Sequence, residues 1–170
     1  MKRGFPIFFA LLMVLTVFAG AAGIPPAPTE GYIVDKAEVL SPETIDSLNA
    51  LGEATEYDTG TRVVVITTDY TGTYEIDAYC QAVFDAWEIE DGLVLTLAIG
   101  DENYYAMPSA WLGRYLDANK IYDIYDESVE PDFARGDYDI AVQKGYAAFC
   151  EEIEALYQQY GQAPENTEQS

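Results

Sequence analysis

The sequence predicts an α/β protein: a single-domain sandwich in which a mixed sheet of about four strands is covered by helices. Two observations carry this. Runs of strand length, rich in β-branched residues, alternate with longer stretches whose apolar residues recur every three or four positions. The two strongest runs, Arg62 to Thr68 and Leu93 to Ile99, are apolar enough at their centres to be covered on both faces, as strands between helices are.

The elements follow in order. Ser41-Pro42-Glu43 reads as a helix start: a hydroxyl N-cap, proline at the first helical position and an acid at the positive end of the helix dipole. Ile45, Leu48 and Leu51 continue it at helical spacing, and Tyr57-Asp58-Thr59-Gly60 ends it before the Arg62 strand. A second helix is expected from Thr73 to Trp87, with Ile76, Tyr79, Cys80, Val83, Phe84 and Trp87 on its inner stripe. After the Leu93 strand, Gly100-Asp101-Glu102-Asn103 has turn chemistry, so Tyr104 to Met107 is expected to return antiparallel beside it. Two more helices are expected, from Asp117 to Phe133 and from Asp137 to Tyr160. The last is read as capped by Asp137 and carries Ile140, Ala147, Cys150, Ile153 and Leu156.

The ends read differently. Lys2 and Arg3 precede an apolar run from Ile7 to Phe18, and Ala19 and Ala21 are spaced as an A-x-A cleavage site, so residues 1–22 are expected to be an export signal. Left uncleaved, the segment would be a membrane anchor. No cysteine follows it to accept a lipid, and no second apolar stretch approaches the roughly 20 residues that span a bilayer. Residues 23–30 carry prolines at 25, 26 and 28 and suit an extended linker. The domain is expected over residues 31–160, and residues 161–170 as a disordered polar tail. Export permits a disulfide between Cys80 and Cys150, but two small buried hydrophobes account for them equally well.

Composition excludes several chemistries. The chain has 170 residues, 8 basic and 30 acidic, for a formal charge of −22. Without Lys2 and Arg3, six basic groups remain against those 30 acids, a formal −24. A charge this negative repels phosphate backbones, so nucleic acid is not an expected partner. The absence of histidine removes imidazole-based triads and His-containing metal sites, and two cysteines are too few for a structural zinc tetrahedron. Any resident metal is therefore expected to be a hard cation held by oxygen.

The acids that could reach the rim of the sheet are Asp35, Asp69, Glu90, Asp91, Asp101, Glu102 and Asp117. Crowded together they would repel one another unless a cation neutralised them; singly they are solvated groups or helix caps. Asp69-Tyr70-Thr71-Gly72-Thr73, directly after the Arg62 strand, resembles the aspartyl-phosphate loop of P-type pumps. That chemistry also needs a lysine and a second aspartate at neighbouring strand ends, and a strand end followed by a polar loop is the plainer account. Tyr104, Tyr105, Trp111, Tyr115, Tyr122 and Tyr125 crowd one stretch, either as core with phenols at its margin or as a groove for a saccharide or partner.

Gly31-Tyr32-Ile33-Val34-Asp35 followed by Val39-Leu40-Ser41-Pro42-Glu43 resembles the opening of the TPM domain family. The likeness continues in order through Thr59-Gly60-Thr61, Trp87-Glu88-Ile89, Asp91-Gly92, Leu116-Asp117 and Phe133-Ala134-Arg135-Gly136-Asp137-Tyr138. It runs from about Gly31 to Leu156. The resemblance implies a single α/β sandwich, exported or membrane-tethered; plant members are thylakoid-lumen proteins linked to photosystem II repair and described as acid phosphatases, and members are reported to bind divalent cations. On that basis Asp35, Asp91 and Asp117 are the expected ligands of a Ca²⁺ or Mg²⁺ ion. The family's asparagine between Asp91 and Gly92 is missing here, and its preceding loop is shortened to Glu88-Ile89-Glu90.

Two functions follow from the resemblance. The first is an exported, divalent-cation-binding module that binds or helps assemble envelope or membrane proteins through the Tyr104 to Tyr125 stretch. The alternative is a metal-dependent phosphomonoesterase whose cation is held by rim aspartates, with Arg114 neutralising phosphate charge.

Overall fold

The computed structural model describes residues 23–161, so the expected export signal and most of the polar tail lie outside the described residues. Four strands, β1 (Ile33–Asp35), β2 (Arg62–Thr68), β3 (Gly92–Ala98) and β4 (Asn103–Pro108), form one sheet in the order 1-2-3-4. β1, β2 and β3 are parallel and β4 runs antiparallel to β3. The helices are α1 (Pro42–Thr59), α2 (Ile76–Trp87), α3 (Ala118–Ile124), α4 (Glu130–Phe133) and α5 (Tyr138–Tyr160). Among the described residues no helix is long and apolar enough to cross a membrane.

The sheet separates two cores. Val63 and Val65 of β2 face α1 and α5 with Leu48, Tyr146, Phe149 and Ile153, whereas Val64 and Ile66 face α2 with Tyr79, Cys80 and Val83. Each such side chain removed from water contributes about 1.5–3 kcal/mol, which is why the two central strands tolerate no polar face. The connections β1-α1-β2 and β2-α2-β3 advance in the same direction along the sheet with their helices on opposite faces. One of the two crossovers therefore has the uncommon left hand.

α1 begins as its sequence demands. Ser41 caps it, its hydroxyl accepting from Thr44 N at 3.2 Å, with Pro42 at the first position and Gly60 closing it in the left-handed region. The other helix ends depart from expectation. α2 starts at Ile76 rather than Thr73, because Thr71 binds the preceding loop through Tyr74 O (2.8 Å) and Asp101 (3.0 Å). The expected helix from Asp117 to Phe133 is interrupted by a π-helical turn at Tyr125–Val129 that separates α3 from α4. Asp137 precedes α5 but makes no side-chain cap, since its carboxylate takes Arg135 Nε at 3.3 Å. Ile140 and Ala147 are exposed on α5, whereas Cys150, Ile153 and Leu156 are buried as expected, joined on the inner face by Ala141, Val142, Tyr146 and Phe149.

β1 spans three residues and leaves the lower edge of β2 uncovered. The Val63 carbonyl, which points past the end of β1, accepts instead from the buried Tyr146 hydroxyl at 2.8 Å. Burial holds that phenol protonated far above its ordinary range.

Cys80 lies in the α2 core and Cys150 in the α5 core, on opposite faces of the sheet, and both are free. A disulfide needs Cα atoms within about 7 Å, so they are small buried hydrophobes. Burial pushes their thiols up to about 12 and about 11. Within the proline-rich segment Pro25 is buried and its carbonyl accepts from Trp87 Nε1 at 2.8 Å.

Asp132 on α4, 2 % exposed, accepts from Lys144 Nζ at 2.7 Å and from Arg135. The lysine hydrogen bond, aided by both positive charges, holds its carboxyl below the usual carboxylate range. A depressed folded-state pKa stabilises the fold above the unfolded value, about 4, and this contribution disappears as pH falls through the folded value. Denaturant unfolding of the chain and of Asp132→Asn between pH 7 and pH 2.5 should therefore show a stability gap that is constant at neutral pH and closes only below about pH 4.

Candidate functional site

Asp35 ends β1 with both carboxylate oxygens in use. Oδ1 accepts from Thr67 Oγ1 and from Val39 N (3.2 Å), and Oδ2 from Leu40 N (2.9 Å). The carboxylate thereby folds the 36–40 loop back onto the sheet before α1 begins. Asp117 caps α3: Oδ1 accepts from Asn119 N at 2.9 Å and Lys120 N at 3.1 Å.

Asp91 is the centre of a larger network. Oδ1 accepts from Ser109 Oγ at 2.6 Å, and Oδ2 from Thr61 Oγ1 at 3.1 Å and from the Tyr157 hydroxyl. Thr61, Ser109 and Tyr157 are all buried, and Ser109 Oγ also receives Leu112 N at 3.4 Å. One carboxylate thus joins the start of β2, the start of β3, the exit of β4 and the last turns of α5. The sequence reading missed these three hydroxyl partners, which lie 18 to 66 positions away in the chain.

The structure does not bring Asp35, Asp91 and Asp117 together. Asp35 pairs with Thr67 at the carboxyl end of the parallel strands, whereas Asp91 precedes Gly92, the partner of Arg62, at their amino end. Six residue steps at about 3.3 Å separate those levels by about 20 Å, far beyond the 2.3–2.6 Å of a calcium–oxygen bond. Asp69, Asp101 and Glu102 lie at the carboxyl end with Asp35, while Glu90 lies with Asp91. Asp101 is engaged by Thr71, and Glu102 sits at φ 50° in the β3–β4 turn. Among the described residues no group of three acids or thiols stands close enough to hold a metal. The implied ligands do not fit a single chelate.

The aromatic stretch divides. Tyr104 and Tyr125 turn inward, edge to face at 4.9 Å. The Tyr104 hydroxyl bonds Glu130 at 2.5 Å, and the Tyr125 hydroxyl receives Ala106 N. Burial is the largest cause of the raised pKa of both phenols. Trp111 and Tyr115 are also part-buried against the core, while Tyr160 and Tyr122 are exposed, Tyr122 to 68 %. Tyr115 stacks on Tyr160 at 4.3 Å and 23°, and Trp111 lies 5.2 Å from Tyr115 and 4.8 Å from Tyr157. Tyr160 is half exposed, and the exposed Arg114 ends the 3₁₀ turn Leu112–Arg114, between Trp111 and Tyr115 in the chain. Tyr160 was legible as a member only through its three-residue spacing from Tyr157 on α5.

The TPM domain family matches residues 33–152. The chain belongs to the TPM domain family. Three solved structures share its fold. The N-terminal domain of a protein from P. gingivalis superposes with TM-score 0.69 at 18 % identity, over 74 % of this chain and 83 % of that one. The N-terminal domain of the cg2496 protein from Corynebacterium glutamicum gives 0.59 at 10 % identity, over 87 % and 96 %. The BA42 protein from the psychrophilic bacterium Bizionia argentinensis gives 0.58 at 13 % identity, over 69 % and 83 %. At these identities the likeness shows the fold alone. No curated protein matches the chain.

Proposed function

We propose that this TPM domain acts after export as a binding module for envelope or membrane proteins, contacting them through Trp111, Arg114, Tyr115 and Tyr160. One arrangement supports the reading: an aromatic ladder, part-buried at Trp111 and Tyr115 and half exposed at Tyr160, with its Tyr115–Tyr160 pair stacked and the exposed Arg114 next to Tyr115 in the chain. Trp, Tyr and Arg are the residue types that dominate binding energy at protein interfaces, because they combine large apolar area with a polar tip and few rotatable bonds to freeze. Mounting them on the end of α5 and a 3₁₀ turn fixes them before a partner arrives. Charge favours the same reading over a phosphomonoesterase, since a chain of formal charge −22 repels an anionic substrate. A divalent cation enters this reading as a counter-ion of the acidic surface.

A photo-crosslinker replacing Tyr160 is expected to capture a discrete envelope protein, with Trp111→Ala and Arg114→Ala each weakening capture. The same group at Tyr70, at the opposite end of the sheet, is expected to capture nothing discrete. Turnover of a phosphomonoester with added Ca²⁺ or Mg²⁺, abolished in a folded Asp91→Asn chain, would replace the module by the enzyme.

A further inference from the structure

The two edges of the sheet are treated differently. On β4 every outward amide is occupied or missing: Tyr104 N donates to Asn103 Oδ1 at 2.9 Å, Ala106 N donates to the Tyr125 hydroxyl, and Pro108 has no N–H. This is how proteins protect an edge from pairing with another chain. β1 is short, but its outward amides have no such partners among the described residues. Tyr32 O, Val34 and Lys36 N face β2, so Ile33 and Asp35 turn their N–H and C=O groups outward, and no strand lies beyond them among the described residues. The Asp35 side chain is turned away to Thr67 and the 39–40 amides and leaves its own backbone uncovered.

An open groove continues from the amino end of this edge, lined by Glu30, Tyr32, Asp46, Asn49 and Glu53. Glu30, Asp46 and Glu53 have no ion-pair partner among the described residues. We propose that the outer edge of β1 accepts an extended, basic segment of a partner protein by strand addition, its positive side chains lying over Glu30, Asp46 and Glu53. Lys36 at the far end of β1 sets the polarity, keeping the positive residues toward the groove. Charge complementarity selects this occupant over a second copy of the chain, because two surfaces of formal charge −22 repel at an edge lined by acids. The ladder offered is short, so backbone pairing supplies register and the carboxylates supply most of the affinity. The site is separate from the aromatic ladder and stands whether or not that ladder binds a partner.

The probe is a blocked hexapeptide of alternating lysine and valine, titrated into the purified ¹⁵N-labelled chain. At saturation the Ile33 and Asp35 amides are expected to exchange at least about tenfold more slowly with solvent, and affinity should fall steeply with salt. Ile33→Pro removes an N–H that the β1–β2 ladder does not use and should weaken binding by about tenfold, the worth of one or two backbone hydrogen bonds. If that variant does not fold, Glu30→Lys with Glu53→Lys should weaken the lysine–valine peptide and permit a glutamate–valine one. Protection at β4 or α3 instead, equal binding of the glutamate–valine peptide to the unaltered chain, or self-association through β1 would overturn the proposal.

Discussion

Asp91→Ala should lower the unfolding free energy by about 3 kcal/mol, measured by urea denaturation at neutral pH. Hydrogen bonds to a charged acceptor are each worth about 1.5–3 kcal/mol, and a buried donor left without a partner costs about 1–3 kcal/mol. Three hydroxyls, on Thr61, Ser109 and Tyr157, lose their common acceptor at once. The costs do not add fully, because Thr61 Oγ1 and the Tyr157 hydroxyl also bond each other at 2.6 Å and remain a pair. Asp91→Asn should cost less, since the amide oxygen keeps one side of the network, although its NH₂ must then face hydroxyls able to reverse their donor sense. A loss below about 0.5 kcal/mol for the alanine variant would mean that the network does not bear on stability.

Gly52→Ala should destabilise the fold by about 1–3 kcal/mol, the cost of overpacking, although alanine in place of a helical glycine ordinarily gains about 1 kcal/mol. A Cβ at this position of α1 would lie 2.3 Å from the Tyr146 hydroxyl oxygen and 2.7 Å from the Tyr32 ring. Neither neighbour is free to retreat. Tyr146 is fully buried and bonded to the Val63 carbonyl, and Tyr32 is fixed by its hydroxyl bond to Glu56 at 2.6 Å and by the Arg62 guanidinium 4.9 Å above its ring. Forcing either aside opens the edge of β2 that β1 fails to cover. A rise in melting temperature would show that helix propensity outweighs this packing.

β2, β3 and β4 were legible because a strand buried on both faces announces itself as an unbroken β-branched run, and because Gly100 to Asn103 carries turn chemistry. β1 was not placed as a strand: three residues are too few to show a period. The π turn at Tyr125–Val129 left no mark, since the apolar positions on either side continue a helical stripe. Asp137 has the chemistry of an N-cap, but Arg135, two residues away, competes for its carboxylate.

The separation of Asp35 from Asp91 was within reach of the sequence. Asp35 is the last residue of its strand and Asp91 precedes its own, and in parallel strands those positions lie at opposite ends of the sheet. What no local pattern contains is the gathering of Thr61, Ser109 and Tyr157 around one carboxylate, because that depends on how α5 settles on the sheet.

Calcium titration followed through backbone amide resonances tests most directly whether these aspartates tie the fold or grip an ion. Separate structural roles predict small, unsaturated drifts over the acidic surface, with the amides around residues 35, 91 and 117 showing no common midpoint. Saturation of all three regions together at one stoichiometric equivalent of Ca²⁺ would contradict it.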